Sequence, residues 1–204
     1  MIFVDNNKIK ESDFVSLLSK TKSLCIDEIK RQRIKRMSGV EFEGLTFEMM
    51  CQASKGTKFK GDIQQTGLQS FPDIIARRFY GTEVKVTADD KWQSTGNSIL
   101  ESTRATGVER IYMFFGKFGG SFDVKYRLYQ ECLNDIGVTH SPRYKINMDL
   151  QKGESIFDKI GIDYDVLRKD ANPIQKIKAY YNKLLKEGEE LWWIDQSSDT
   201  VVNP

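Results

Sequence analysis

The chain has 204 residues, a formal net charge of +2, 39% apolar and 29% charged residues, which suits one domain, or one domain with a small appendage, with enough apolar residues for a core and a soluble surface. No run approaches the ~20 apolar residues that a membrane span needs, and the opening MIFVDNNKIK lacks the charged-then-apolar layout of a signal peptide. The expectation is a cytoplasmic protein with no membrane partner.

Residue usage narrows the chemistry further. The single histidine, His140, excludes a histidine-rich metal site, an HExxH zinc site and double-histidine phosphodiester chemistry. It stands beside Ser141 without a GxSxG elbow and suits a surface loop. Cys25, Cys51 and Cys132 are far apart and form no CxxC pair, so they suit reduced, buried thiols. No GxxxxGK[ST] loop is present. Hydrolytic chemistry on this chain would rest on carboxylates, lysines and a metal.

In chain order, residues 11–36 carry Phe14, Leu17, Leu18, Leu24, Cys25 and Ile29 at helical spacing, with Ser12 as the expected N-cap and a cation-dense tail, KRQRIKRM. A second helix is expected from Val40 to Ala53. KFKGDIQQT, FPDIIARRF and TEVKVT follow as strands, the last two joined by a turn at Tyr80–Gly81. SILESTRATG is predicted helical and ended by Gly107. RIYMFFGKF has the continuous apolar character of a buried strand, reached from TEVKV by a right-handed crossover. A helix over 122–136, a strand RYKINMDL, and a helix opened by Asn172–Pro173 and closed by Gly188 complete the list. The ending, DTVVNP, has no finishing element and would suit a piece of a longer protein. The fold class expected is α/β (α+β), a mixed central β-sheet flanked by helices in the order α-β-β-β-α-β with additions.

The chemistry collects at one hairpin. Glu83 and Lys85 stand two apart and share a strand face, with Val84 and Val86 on the other. Asp73 follows Pro72, which cannot donate to a ladder and marks an edge or bend. Two carboxylates and an ammonium therefore converge. Carboxylate oxygens are the ligands Mg²⁺ prefers, and Lys85 beside the metal is suited either to orient water or to stabilise charge on phosphorus. The plain alternative is an exposed Glu83–Lys85 pair with Asp73 capping a turn.

Pro72–Asp73, a spacer, then Glu83–Val84–Lys85 resembles the motif of the PD-(D/E)xK nuclease superfamily, which includes type II restriction endonucleases, junction resolvases and repair nucleases. The superfamily core has the element order given above, and the resemblance covers roughly residues 38–118. It implies a single nuclease domain over 1–204, with 1–37 as an N-terminal helical element and 119–204 as additions for recognition, dimerisation or bracing. It implies Mg²⁺, with two ions possible, held by Asp73, Glu83 and the Val84 carbonyl, and Lys85 as the catalytic ammonium. Members often add an acid from the first core helix. Glu48 stands at that place, with Glu43 the less favoured substitute and an ordinary exposed position the alternative for Glu48.

ADDKWQSTGNS would overhang such a site. Gln93 and Asn97 are amides able to meet adenine edges, Lys91 suits a phosphate, and Trp92 suits stacking or wedging; the competing role for Trp92 is to plug the core. Arg143 and Lys145 share a strand face as a further reader. Arg77, Arg78 and the run Lys30, Arg31, Arg33, Lys35, Arg36 are candidate phosphate contacts, against a solvated helix face. The expectation is a metal-dependent endonuclease of type II restriction type acting on double-stranded DNA, with a homodimer implied by the resemblance. Its rivals are a structure-selective repair or junction-resolving nuclease, an inactive DNA-binding module on the same fold, and an interaction domain using Trp192 and Trp193.

Overall fold

The computed structural model describes residues 9–67, 69–138 and 142–189. His140, Trp192 and Trp193 lie outside the described residues. Two helices come first. α1 (Glu11–Gln32) turns Phe14, Leu17, Leu18, Cys25 and Ile29 inward. It begins two residues earlier than a Ser12 cap would have it, because the Asp13 carboxylate accepts the Lys10 N–H at 3.3 Å. α2 (Gly39–Ala53) opens with a reciprocal cap: Ser38 N–H donates to Glu41 Oε2 at 2.7 Å, and Glu41 N–H to Ser38 Oγ at 3.3 Å.

The strands are β1 (Ile63–Gln65), β2 (Ile74–Ala76), β3 (Tyr80–Thr87), β4 (Gln93–Ser98), β5 (Arg110–Lys117), β6 (Asp123–Leu128), β7 (Leu133–Val138) and β8 (Pro142–Asn147). They form a five-stranded mixed sheet in the order β1-β2-β3-β5-β6 and a three-stranded sheet, β4-β8-β7. Only β3 and β5 are parallel in the larger sheet. The fold is α+β, with helices flanking the mixed sheet, as the sequence leads one to expect.

Period-2 alternation sorts the larger sheet between two cores. Tyr80, Val84, Tyr112, Phe114 and Val124 pack against α1 and α2 through Phe14, Phe42 and Met50. Ile111, Met113 and Phe115 face the other way, onto Tyr129, Tyr144, Ile146 and the short helices α3 (Ile156–Ile160), α4 (Tyr164–Leu167) and α5 (Pro173–Asn182).

Several expected elements differ. No helix lies between β3 and β5: β4 and a series of turns occupy residues 88–109, so the α-β-β-β-α-β order is not met. Tertiary pairing overrides helix propensity there, since Phe71 N–H donates to Thr103 O at 3.0 Å and Ala105 N–H to Phe71 O at 2.7 Å. Arg104 fastens the segment through the Glu101 carboxylate (2.6 Å), the Tyr164 hydroxyl (2.8 Å) and the Val108 carbonyl (3.0 Å). The expected helix over 122–136 is β6, a 3-10 turn (Tyr129–Cys132) and β7. Val124, Tyr126 and Leu128 alternate with Lys125 and Arg127, a strand period that outweighs the apparent helical spacing. The last helix stops at Asn182 instead of running to Gly188.

Candidate active site

β2 and β3 form a hairpin whose turn is Arg77–Arg78–Phe79, with Ala76 paired to Tyr80. Tyr80 and Gly81 thus belong to the strand and are not its turn. Arg77 and Arg78 carry the left-handed backbone of the turn, at φ 54° and 56°. Gly81 serves packing instead: a Cβ there would stand 2.3 Å from Pro72 Cγ and 2.9 Å from Val108 Cγ1. That close approach seats Pro72 against β3 and delivers Asp73 to the next position.

Ile74 pairs with Thr82, and one step further Asp73 reaches across to β3. Its Oδ2 accepts the Val84 N–H at 2.7 Å, so a carboxylate stands where a ladder carbonyl would otherwise be. Glu83 and Lys85 project from the face opposite Val84, as expected, and Lys85 Nζ donates to Glu83 Oε1 at 2.6 Å. This is no exposed ion pair, because the Glu83 side chain is 6% exposed against 28% for Lys85. Glu83 Oε2 is buried and has no hydrogen-bond partner among the described residues. An unsatisfied buried carboxylate oxygen is costly, and a cation at that point would relieve it.

Electrostatics couples the three groups. Burial, then the neighbouring Glu83 charge, pushes the Asp73 carboxyl up to about 7, against the pull of Lys85 and the Val84 N–H. Burial works to lower the Lys85 pKa, but the charges of Glu83 and Asp73 outweigh it and hold the ammonium above its ordinary value.

Of the two acids weighed on the first helix of the core, the structure brings Glu43 to the site and leaves Glu48 exposed. Gln65 Nε2 of β1 donates to Glu43 Oε1 at 2.7 Å, and the Glu43 charge acts on both Asp73 and Lys85. The reason is helical phase. The buried face of α2 is set by Phe42, Thr46, Met49, Met50 and Ala53. At about 100° per residue, Glu43 borders that face and Glu48 lies opposite it. The inward phenol of Tyr129 also sits within reach of the Glu83 charge, and burial first, then that charge, raises its pKa well above the ordinary value. Sequence reasoning missed Gln65 and Tyr129, and no local pattern marks either.

No protein-family model matches the chain, and no curated protein matches it. The chemistry of the site therefore stands on its own residues. Among the described residues no three His, Cys, Asp or Glu side chains gather at ligand spacing. Mg²⁺ does not require such a set, since one or two carboxylates, water and a substrate phosphate commonly complete its shell. Asp73, Glu83 with its unpartnered oxygen, and the intervening backbone fit a hard divalent cation.

The expected DNA contacts fall into two groups. Gln93 of β4 and Arg143 and Lys145 of β8 are exposed on neighbouring antiparallel strands, where Gln93 opposes Asn147 and Thr95 opposes Lys145. Lys145 is paired with Asp135 at 3.2 Å. Lys91 is exposed in the preceding loop. Trp92 and Asn97 are turned to internal work. The Trp92 ring packs edge-on to Phe115 at 5.8 Å, with Lys125 Nζ 4.5 Å from its centre. Asn97 Oδ1 accepts the Ser98 N–H at 2.9 Å, and Asn97 N–H donates to the Tyr129 hydroxyl at 3.3 Å. A cavity of about 730 Å³ between the 3-10 turn and α3–α4, lined by Arg127, Glu131, Ser155, Asp158 and Tyr164, includes none of Asp73, Glu83 and Lys85. Among the described residues no helix is long and apolar enough to cross a membrane.

Proposed function

We propose that the chain is a metal-dependent DNA endonuclease, of type II restriction type, that hydrolyses phosphodiester bonds in double-stranded DNA in the cytoplasm. The observation that carries this reading is the buried, partnerless Glu83 Oε2 beside Asp73 and the Lys85 ammonium. Asp73, Glu83 and the Val84 carbonyl would hold Mg²⁺, and the resemblance to the nuclease superfamily would allow a second ion. The bound metal supplies a more acidic water and neutralises charge on the phosphate oxygens.

The chain's own groups do the rest. Glu83 orients Lys85 through their 2.6 Å bond, and the ammonium is placed to donate to a phosphate oxygen as negative charge develops. The Val84 N–H holds Asp73 in one rotamer, which fixes the spacing of the two carboxylates. Gln65 holds Glu43, a further acid able to bind a metal-bound water. Gln93, Arg143 and Lys145, with Lys91, are the proposed DNA contacts, and a homodimer would give the symmetry needed to cut both strands.

The test is incubation of the full chain with mixed plasmid and phage DNA, and with branched substrates, in Mg²⁺ or EDTA. Discrete fragments that require both Mg²⁺ and Lys85 support a site-specific enzyme. Cutting confined to branched DNA would move the reading to a junction-resolving nuclease. Binding without cleavage, unchanged in Lys85→Ala, would leave an inactive DNA-binding module and overturn the enzyme.

A further inference from the structure

Among the described residues, ion-paired and unpaired cations are interspersed; Lys22 pairs with Asp123, Lys58 with Asp13, Lys117 with Asp90 and Lys125 with Asp149. The segment joining α1 to α2 gathers unpaired ones. Lys30, Arg31, Arg33, Lys35 and Arg36 are all exposed, and only Arg31 has an acid partner, Glu28. Lys30, Arg33, Lys35 and Arg36 have no ion pair with a described residue. Unpaired like charges packed this densely repel one another, which a free surface loop gains nothing by.

The segment is nevertheless built, not loose. Arg33 takes the left-handed conformation at φ 56°, its N–H closes on Lys30 O at 3.2 Å, and Ile34 N–H returns to Ile29 O at 3.0 Å. Ile34 and Met37 then pack against the helix-side core, so the intervening cations are forced outward on a fixed backbone. Glu28 is occupied by Arg31, and Glu41 by the Ser38 cap.

A second observation lies where this loop enters α2. Gly39 and Gly44 are helical glycines with ordinary backbone angles, and a Cβ at either would meet nothing within 4 Å. Neither packing nor conformation requires glycine there, although glycine is among the worst helix formers. Val40, on the same turn, is 74% exposed. At about 100° per residue the two glycines stand about 140° apart, so it is Gly39, beside the loop, that leaves the start of the helix open to close approach. The same first turns carry Glu43, which accepts from Gln65 and whose charge acts on Asp73 and Lys85. At the rise of an α-helix, Ser38 is only about 7.5 Å from Glu43 along the axis.

We propose that residues 30–36, with the open first turn of α2 at Gly39 and Val40, form a nucleic-acid phosphate clamp that holds the strand backbone next to the site of cleavage. The occupant is a polyphosphate backbone, because several unpaired cations close together in the chain on a hydrogen-bonded loop suit a densely charged anion and no sequence-reading geometry is needed. This rests on the nuclease reading for its placement and on the free cations for its chemistry.

The test is binding of the full chain to a fluorescent 30-bp duplex in EDTA over a series of salt concentrations. The variant Lys30→Gln/Arg33→Gln/Lys35→Gln/Arg36→Gln should bind at least tenfold more weakly at moderate salt, and its log–log salt slope should flatten by about 3. A control with the same charge change, Lys55→Gln/Lys152→Gln/Lys183→Gln/Lys186→Gln, should keep the wild-type slope. Gly39→Ala should raise the thermal midpoint while weakening duplex binding several-fold. Equal slopes for the two quadruple variants, with the wild type still binding, would overturn the clamp and leave the nuclease reading standing. Failure of the wild type to bind any nucleic acid would overturn both. Clamp-dependent binding with no Mg²⁺-dependent cleavage would keep the clamp and remove the nuclease.

Discussion

Lys85 holds two consequences at the scale of a single side chain. Replacing it by alanine removes the donor aimed at the developing charge, so cleavage should fall by about 10²–10³ or more while duplex affinity changes little. It also strands Glu83, whose side chain is 6% exposed, without its only hydrogen-bond partner among the described residues. The metal-free variant should therefore lose about 1–3 kcal/mol of stability, measurable by urea unfolding, and a second change, Glu83→Gln, should recover part of it. Asp73 governs the pH dependence. In the folded, metal-free protein its carboxyl keeps a proton up to about 7. In the unfolded chain it loses the proton near ~3.9. Between those limits the folded state binds more protons, so stability should be greatest at the acid end and fall as pH rises towards 7. Thermal melts of the metal-free protein from pH 5 to 8 should show this decline. Asp73→Asn should flatten it, and Mg²⁺ should oppose it by favouring the ionised carboxyl. A flat wild-type profile would mean that burial and the Glu83 charge do not raise the Asp73 carboxyl.

The hairpin and α2 act as units. Gly81→Ala would force a Cβ into Pro72 and should cost about 1–3 kcal/mol, with Mg²⁺ affinity falling further because Asp73 moves with Pro72. A loss of stability with undiminished metal affinity would uncouple the two. How far this element scale can be seen in the sequence depends on whether the deciding contacts are local. The α1 and α2 helices, the hairpin strands and the buried β5 are legible because each carries its own period. So is the meeting of Asp73, Glu83 and Lys85, since alternation alone puts the last two on one face. Segment 98–109 is not legible: its backbone bonds go to Phe71, some thirty positions earlier in the chain, and to the Arg104 network. The choice between Glu43 and Glu48 was available in principle from the phase of Phe42, Met49 and Ala53. The role of Trp92 was not, because its partners Phe115 and Lys125 come from two other strands.

For the whole molecule, the boundary suggested by the motif does not coincide with a physical one. Residues 38–118 contain the hairpin and β5, but Met113 and Phe115 are covered from the far side by Tyr129, Tyr144, Ile146 and Ile156. The isolated segment 38–118 would also lack α1, which supplies Phe14, Leu17 and Leu18 to the other core. Such a fragment should therefore lack cooperative thermal unfolding and a dispersed amide NMR spectrum; a fragment that folds would contradict the shared-core arrangement. β5 is the reason. It runs between both cores, lending alternate side chains to each, and every residue from Ile111 to Gly116 is buried. A strand so placed cannot be uncovered by peeling away either layer alone, so its amide hydrogens should exchange with solvent only through global unfolding. They would be the slowest clock in the protein, and their rate would report the stability of the entire chain from a single strand.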